Sequence, residues 1–374
     1  MISRLRHLCV ILTAGTFLIC LAFTQGHAEQ PIGETLVVYS APAVSALFEA
    51  LVQPFAEHTR REFGTAVHVD IVTLPAPVAW AALETEWPAP SGDVYIFYEP
   101  NIREGIRKGY LQPIRPHFTD REWGRFDPEA VRAIDTGGYA APLLLTSLIL
   151  AVQDSLPENA VTRWADLSGK TLRKRFTIES ALLVGAGYNV VAAAALVEGS
   201  DWRDWFRNGA FDEDAARPAL ERVRDWADNA LTMTRGSGAI RPLLARREAL
   251  ASTWWWANTV QEIRNGMKLR IVYPEEGTIT AFQAGPVVTS VTKNPAGATE
   301  WVKFVHSDFA AVIANRMNYL GRIPFTDEEP TPEWKDYLAK AKRVPIDEFR
   351  ALVFDPAYNT AFINAYSRIV LEGQ

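Results

Sequence analysis

The chain has 374 residues, of which 48% are hydrophobic and 22% are charged, a balance that can bury an ordinary globular core. Its formal net charge of −6 excludes the basic profile of nucleic-acid-binding proteins. Its two cysteines, Cys9 and Cys20, lie in the N-terminal segment. The rest of the chain can therefore form neither a disulfide nor a thiolate metal site.

The N-terminal segment has the pattern of a secretory signal peptide. Arg4 and Arg6 precede the nearly continuous apolar run 8–23, and a small residue, Ala28, follows Gly26-His27. We predict that 1–28 is a signal cleaved after Ala28 and that the mature protein is periplasmic. The apolar run is shorter than the ~20 residues of a membrane span. A retained N-terminal anchor is the alternative.

Histidine spacing gives no metal motif in the mature chain. The histidines outside the signal are His58, His68, His117 and His306, and they are scattered along the sequence. Paired zinc ligands normally recur at short, fixed spacings. We therefore predict neither a metal site nor a cofactor.

The first part of the mature chain alternates strands and helices. The predicted segments are strands 34–40, 66–73 and 94–98 and helices 47–55, 78–85 and 102–108. Pro54 should kink or divide the first helix, and Gly64 should end it. This order predicts a parallel sheet with crossover helices.

A long apolar run at 139–152 indicates that the chain leaves the first sheet and enters a second. The following predicted segments are a turn-rich connector at 164–170, strands 176–178 and 269–273, and helices 188–197, 219–231, 236–247 and 260–265. Residues 286–291 should return to the first sheet. The remaining predicted helices are 298–306, 310–317, 334–341 and 360–371.

No internal repeat or low-complexity linker interrupts this order. The pattern predicts two α/β lobes joined by extended crossovers. We assign 29–141 and 286–374 to a discontinuous lobe 1 and 142–285 to lobe 2. At about 150 residues per domain, the mature length suits two such units.

Three consecutive tryptophans, at 254–256, follow a short apolar run. If the run is a strand, side chains alternate between its faces. Ser252, Trp254 and Trp256 then share one face, and Trp255 lies on the other. Such indoles either fill a core or line a recognition cleft, and Trp254 and Trp256 are the better candidates for a cleft.

Several short segments resemble one protein family. They are Leu36-Val37-Val38-Tyr39-Ser40, Gly92-Asp93-Val94, Gly109-Tyr110-Leu111-Gln112-Pro113-Ile114, Trp164-Ala165-Asp166-Leu167, Tyr273-Pro274-Glu275-Glu276-Gly277, Asn294-Pro295-Ala296-Gly297-Ala298 and Trp301-Val302-Lys303-Phe304-Val305. Their order resembles that of two-lobed, type II periplasmic solute-binding proteins of ABC transporters. The chain is similar to the group that binds spermidine or putrescine, ferric iron, thiamine and aminoethylphosphonate.

The resemblance implies a two-lobed α/β fold with a ligand cleft between the lobes and hinge closure around a small-molecule solute. It also implies a monomer that works with an ABC permease at the inner membrane and is not an enzyme. An exported sensory or scaffold protein acting with a membrane receptor is the alternative. An exported enzyme is a weaker one, because no catalytic constellation is present, neither a Gly-x-Ser-x-Gly elbow nor a cysteine nucleophile.

Ligands in open α/β sheets bind outside the carboxyl ends of the strands. With this rule and the family's ligand loops, the predicted contact residues are Tyr39, Ser40, Ala41, Tyr98, Glu99, Glu179, Ser180, Trp254, Trp256, Tyr273 and Gln283. The alternatives are that Tyr39 and Ser40 only form a turn, and that Glu99 and Glu179 only cap helices. The resemblance places Trp254 where polyamine binders stack a tryptophan on the ligand, and an aromatic wall near carboxylates suits a cationic amine.

One departure from the polyamine binders concerns their acidic anchor. They carry an aromatic-x-aspartate unit after the proline-acid-glycine turn, whereas this chain has Phe282-Gln283 there and no acid. Gln283 cannot neutralise an ammonium group. The expected solute is therefore a smaller or singly charged amine, a zwitterion or an aminophosphonate. The tyrosine pair of iron binders is also missing from the sequence, which disfavours ferric iron.

Overall fold

The computed structural model of the chain describes residues 32–373 except 43, 135–136, 182–185, 208 and 318, and it leaves the side chains of 186, 237, 283 and 284 undescribed. The predicted signal, 1–28 with Cys9 and Cys20, lies outside the described residues. None of the helices in the described part of the chain combines the length and the apolar character that crossing a bilayer requires.

Strands and helices alternate through the first half of the chain, as predicted. The strands are β1 (Thr35–Ser40), β2 (His68–Thr73), β3 (Val94–Tyr95), β4 (Leu111–Gln112), β5 (Pro142–Gln153), β6 (Phe176–Glu179), β7 (Phe206–Arg207), β8 (Ala210–Phe211), β9 (Thr232–Thr234), β10 (Ala251–Trp255), β11 (Leu269–Val272), β12 (Thr278–Ala284), β13 (Val287–Thr289) and β14 (Arg343–Pro345).

The α-helices lie between these strands or after β14. They are α1 (Ser45–Phe63), α2 (Ala76–Glu86), α3 (Glu99–Arg107), α4 (Asp120–Trp123), α5 (Pro128–Ile134), α6 (Ala186–Glu198), α7 (Glu213–Asn229), α8 (Ile240–Ala245), α9 (Trp256–Arg264), α10 (Pro295–Val305), α11 (Asp308–Arg316), α12 (Pro332–Lys340), α13 (Asp347–Phe354) and α14 (Pro356–Tyr366). A π-helical turn, Ser367–Glu372, continues α14.

The first sheet has five strands in the order β2-β1-β3-β13-β4. β1 pairs in parallel with β2 and β3 through the crossover helices α1 and α2, which confirms the predicted βαβ pattern. β13 pairs antiparallel with β3 and β4, so the predicted return of 286–291 to this sheet is also confirmed. α1 runs unbroken through Pro54 and ends at Gly64, whose φ of 75° suits glycine. The predicted division at Pro54 is therefore wrong.

The second sheet has seven strands built around the long strand β5. The order is β14-β12-β5-β10-β6-β9, with β11 also paired to β5. β5 is buried along nearly its whole length. This explains why the run predicted at 139–152 is continuously apolar, since a strand covered on both faces needs no polar alternation.

The last 30 or so residues pack on the second sheet. β14 pairs in parallel with β12, with Ile279 opposite Val344. Phe349 and Tyr366 are buried in the same core as Leu148 of β5. This differs from the predicted assignment of all of 286–374 to lobe 1. The lobe boundaries themselves stay a prediction.

The described chain passes between the two sheets before β5, before β13 and again between β13 and β14. Ala141 precedes β5 and Gly285 precedes β13, and the Gly285 N–H donates to the Ala141 carbonyl at 2.6 Å. A Cβ at Gly285 would lie 2.6 Å from Cε1 of His306, so the side chain of any other residue would clash there. The segments at Ala141 and Gly285 thus lie side by side.

Candidate functional site

A cavity of about 1360 Å³ lies between the two sheet systems. One wall comes from α2, α3 and α5, and the other from the segment 345–356, which follows β14 of the second sheet. The charged lining residues are Glu84, Arg103, Glu104, Arg107, Lys108, Arg132, Arg203, Asp347, Glu348 and Asp355. A cleft between two units is a usual place for a small-molecule site.

Many charges at the cavity wall are already neutralised by neighbours. Arg107 binds Glu104 at 2.6 Å, and Lys108 forms an ion pair with Glu84. Across the cavity, Arg203 binds Glu348 at 2.9 Å. These pairs are largely exposed, and exposed pairs add little stability. The buried charged groups therefore determine the electrostatic character of the cavity.

Tyr98 stands at the junction of the two walls. It precedes α3, is half-buried and lines the cavity. The guanidinium carbon of Arg350, from α13, lies 5.0 Å from the centroid of the Tyr98 ring. This cation–π contact joins an element that follows the first sheet to one that packs on the second.

Two buried carboxylates begin the two helices that meet here. Glu99 is the first residue of α3 and is 1% exposed, whereas Asp347 is the first residue of α13 and is 3% exposed. Helix N-termini favour negative charge, which explains acidic residues at both positions. One Asp347 oxygen, Oδ1, accepts the Phe282 N–H at 3.0 Å. The other, Oδ2, has no hydrogen-bond partner among the described residues.

Burial changes the acidity of this pair. Loss of solvent raises the pKa of Asp347 well above its ordinary value, and the nearby charge of Glu99 raises it further. Arg350 and the Phe282 N–H act in the opposite direction with smaller effect.

The tryptophan run does not form the predicted single face. β10 ends at Trp255 and α9 begins at Trp256, so strand alternation does not extend to Trp256. Trp256 is 1% exposed and packs 4.9 Å from both Trp334 and Tyr337. The prediction that Trp254 and Trp256 share a strand face is wrong, because the chain changes from strand to helix between them.

Trp254 is also buried, at 3% exposure, opposite Ile149 of β5. It belongs to the same hydrophobic core as Tyr95, the last residue of β3, and Phe97, which follows β3. Its indole Nε1 has no hydrogen-bond partner in the part of the chain that the structure describes. Trp255, predicted on the opposite face, is partly buried and is the most exposed of the three.

Three other predicted contact residues have hydrogen-bond or ring partners within the protein. Tyr39 stacks on Tyr95 at 4.8 Å and bonds Ser91 through its hydroxyl group at 2.8 Å. The Ser40 hydroxyl donates to the carbonyl of Ala41. The Tyr273 hydroxyl donates to Asp336 at 3.2 Å.

Glu179 ends β6, Ser180 follows it, and both are buried. The Gln283 side chain lies outside the described residues, although its backbone belongs to β12. Among the predicted residues with described side chains, Tyr98 lines the cavity and Glu99 adjoins it in sequence.

Sequence reasoning missed Asp347 and Arg350. The signal was present, because Asp347-Glu348 precedes buried Phe349 and Val353, and acidic residues commonly begin helices. The sequence prediction began its last helix at residue 360 and left α13 unassigned. Nothing in the local pattern links α13 to Tyr98, which lies about 250 residues earlier.

The family that the sequence matches agrees with the observed α/β fold. A sequence profile described as bacterial extracellular solute-binding protein matches residues 50–342. A search of curated proteins gives no significant match.

The chain also resembles solved structures. The structure of an ABC transporter from Clostridium perfringens has a TM-score of 0.68 at 18% identity, covering 90% of this chain and 99% of that one. The spermidine/putrescine ABC transporter substrate-binding protein PotD from Streptococcus pneumoniae has 0.64 at 15%, covering 91% and 98%. The periplasmic binding protein AfuA from Actinobacillus pleuropneumoniae, with fructose-6-phosphate bound, has 0.65 at 17%, covering 90% and 99%. At these identities the likeness shows a shared fold.

Proposed function

Because the chain belongs to the family of bacterial extracellular solute-binding proteins, we propose that it is the periplasmic substrate-binding component of an ABC importer. It captures a small polar or cationic organic solute between its lobes and presents the closed complex to a membrane permease. The observation that carries the proposal is the cavity of about 1360 Å³ between elements of the two sheets.

The volume of this cavity is consistent with a solute that fills only part of it. Ligand pockets that enclose a small molecule usually measure about 300–1,000 Å³. The cavity exceeds this range, which is consistent with an open cleft that closes on the solute. The paired crossovers at Ala141 and Gly285 supply the place about which the lobes would rotate.

The chemistry of the wall supports a polar organic solute. Aromatic Trp80 and Tyr98 line the cavity together with charged groups on both sides. Among the described residues, no group of three or more His, Cys, Asp or Glu side chains could hold a metal ion. The described wall therefore offers hydrogen bonds, ring faces and charge to a solute.

Protein purified without denaturation is expected to carry its solute, which native mass spectrometry would identify. Small-angle scattering should then show a smaller radius of gyration with solute than without, because the lobes close. The substitution Ala351→Trp, placed on the cavity wall, should weaken binding by at least about tenfold by filling the site. Ala50→Trp on α1, outside the cavity, is the matched control.

Absence of any saturable solute would contradict the proposal. Binding without compaction would contradict hinge closure alone. Equal affinity of the Ala351→Trp variant and the parent protein would show that the solute binds elsewhere.

A further inference from the structure

The cavity between the two sheet systems has aromatic rings on both of its walls. Trp80 of α2 and Tyr98 line one wall, and Phe354, the last residue of α13, lines the other. We propose that the solute carries a planar aromatic or heteroaromatic ring, which is held between the wall of Trp80 and the wall of Phe354 when the cleft closes. The inference rests on the proposed function and deepens it, because it names the chemical class of the solute.

Four prolines complete the apolar part of this lining. Pro77 and Pro100 lie on the wall of Trp80, and Pro345 and Pro356 lie on the opposite wall. Proline has no side-chain rotamers to lose, and an aromatic side chain has only two χ angles. The lining therefore loses little conformational entropy when it encloses a ligand. A rigid ring gains most from such a site, because a flexible chain would itself lose entropy on binding.

Buried rings behind the walls fix the orientation of Trp80 and Phe354. Trp80 meets Phe97 edge to face, with ring centroids 5.3 Å apart, and Phe354 meets Tyr188 at 5.0 Å with an interplanar angle of 60°. Trp80 and Phe354 are themselves half-buried, so part of each side chain remains exposed. Aromatic pairs attract each other beyond the effect of buried area. Rings held in fixed positions can therefore distinguish a flat aromatic solute from a saturated one.

The helices that begin at the cavity offer few backbone donors to an anion. The free N–H groups of a first turn normally make a helix N-terminus an anion site. Pro77, Pro100 and Pro356 occupy the first or second position of α2, α3 and α14, and proline has no N–H. In α14 the N–H of Ala357 already donates to Asp355 at 2.8 Å. These helix starts therefore favour an apolar part of the solute over a phosphate group.

The charged side chains of α2 and α3 at the cavity are engaged with one another. Arg107 donates to Glu104 through two N–H groups, at 2.6 and 2.8 Å. Lys108 forms an ion pair with Glu84. A solute ion would exchange one partner for another at these exposed pairs and would gain little affinity.

The remaining polar groups suit the substituents of a ring. Asn101 lines the cavity, and its amide can both donate and accept hydrogen bonds. Arg132 of α5 also lines the cavity and is exposed. Small-molecule sites commonly combine apolar and aromatic walls with a few polar groups that fix the orientation of the ligand.

The test compares probes that differ in the ring alone. Calorimetric titrations with phenethylamine and 2-cyclohexylethylamine, and with benzoate and cyclohexanecarboxylate, keep the charge and the number of ring atoms constant. We expect the aromatic member of at least one pair to bind at least about fivefold more tightly than its saturated partner. Native mass spectrometry of protein purified without denaturation should identify a solute that contains a planar ring.

Two substitutions remove the rings and keep an apolar side chain. Phe354→Leu and Trp80→Leu should each lower the affinity for the tighter aromatic probe by at least about fivefold and leave the saturated probe within about twofold. This selective loss identifies a ring contact, because general damage to the fold would weaken both probes alike. The variants lie on opposite walls, so each tests the proposal if the other does not fold. Both are also titrated with the solute that mass spectrometry identifies.

Phe309→Leu is the matched control. Phe309 of α11 is 47% exposed and is not among the residues that line the cavity. This variant loses the same ring from another surface and should bind all four probes like the parent protein.

The possible failures are distinct. A natural solute without a planar ring, or equal measurable affinity within both probe pairs, overturns the inference and leaves the solute-binding function intact. An unchanged preference for the aromatic probe in both leucine variants also overturns it, because the ring then binds elsewhere. If neither the probes nor any co-purified solute bind to the parent protein, the inference and the proposed function both fail.

Discussion

Replacing Trp256 by alanine is expected to lower the free energy of unfolding by about 3–5 kcal/mol. Trp256 is 1% exposed and packs against Trp334 and Tyr337, both from α12. Tyr337 in turn donates to Ser147 of β5 at 3.1 Å. Removing the indole leaves a cavity at the point where α12 meets the second sheet. Urea unfolding followed by far-ultraviolet circular dichroism would measure the loss.

Trp255→Ala is the matched control, because it removes the same side chain from the neighbouring position. Trp255 is only partly buried, so its loss of stability should be clearly smaller. Equal losses would contradict the assignment of Trp256 to the core. The same proteins test the predicted ligand contact. A Trp256→Ala variant that is less stable but binds solute normally would assign Trp256 to the core alone.

Replacing Glu328 by alanine is expected to cost about 3–5 kcal/mol, because it leaves a buried cation without its partner. Arg322 is 6% exposed, and burial lowers its pKa. Its guanidinium forms an ion pair with Glu328 and donates to the Ile323 carbonyl at 2.6 Å. Glu328 also accepts the Phe325 N–H at 3.1 Å. Denaturant unfolding of the variant would show the loss.

Two further variants test whether burial is the cause. Glu329→Ala removes an adjacent glutamate that is 81% exposed and paired with Lys335, and it should cost no more than about 1 kcal/mol. Adding Arg322→Met to Glu328→Ala should recover part of the loss, because it removes the unpaired charge. A double variant as unstable as Glu328→Ala would argue against desolvation as the origin of the effect.

Several strands could be predicted because their own residues encode them. β1 and β2 appeared as short apolar runs rich in β-branched residues, and their parallel pairing followed from the intervening helix. The apolar run at 139–152 likewise predicted the passage of the chain into a second sheet, where it forms the buried strand β5. These signals are local, so no knowledge of distant residues was needed.

The sequence predictions were wrong where the local pattern was misleading or where the interacting segment is distant in the sequence. Alternation along a strand gave Trp254 and Trp256 one face, but helix α9 begins between them. β14 is a three-residue strand that exists through its pairing with β12, and so brief a segment carries little periodicity. Its register with β12 nonetheless decides that α13 packs on the second sheet.

The sequence by itself determined the α/β class, the two sheets and the passages between them before β5 and β13, because burial and turn chemistry are local properties. It also nominated Tyr98 and Glu99, since they follow a strand of a parallel sheet. Only the tertiary structure decided that Asp347 and Arg350 meet them. That meeting depends on strand pairing and helix packing between segments about 250 residues apart, which local periodicity does not record.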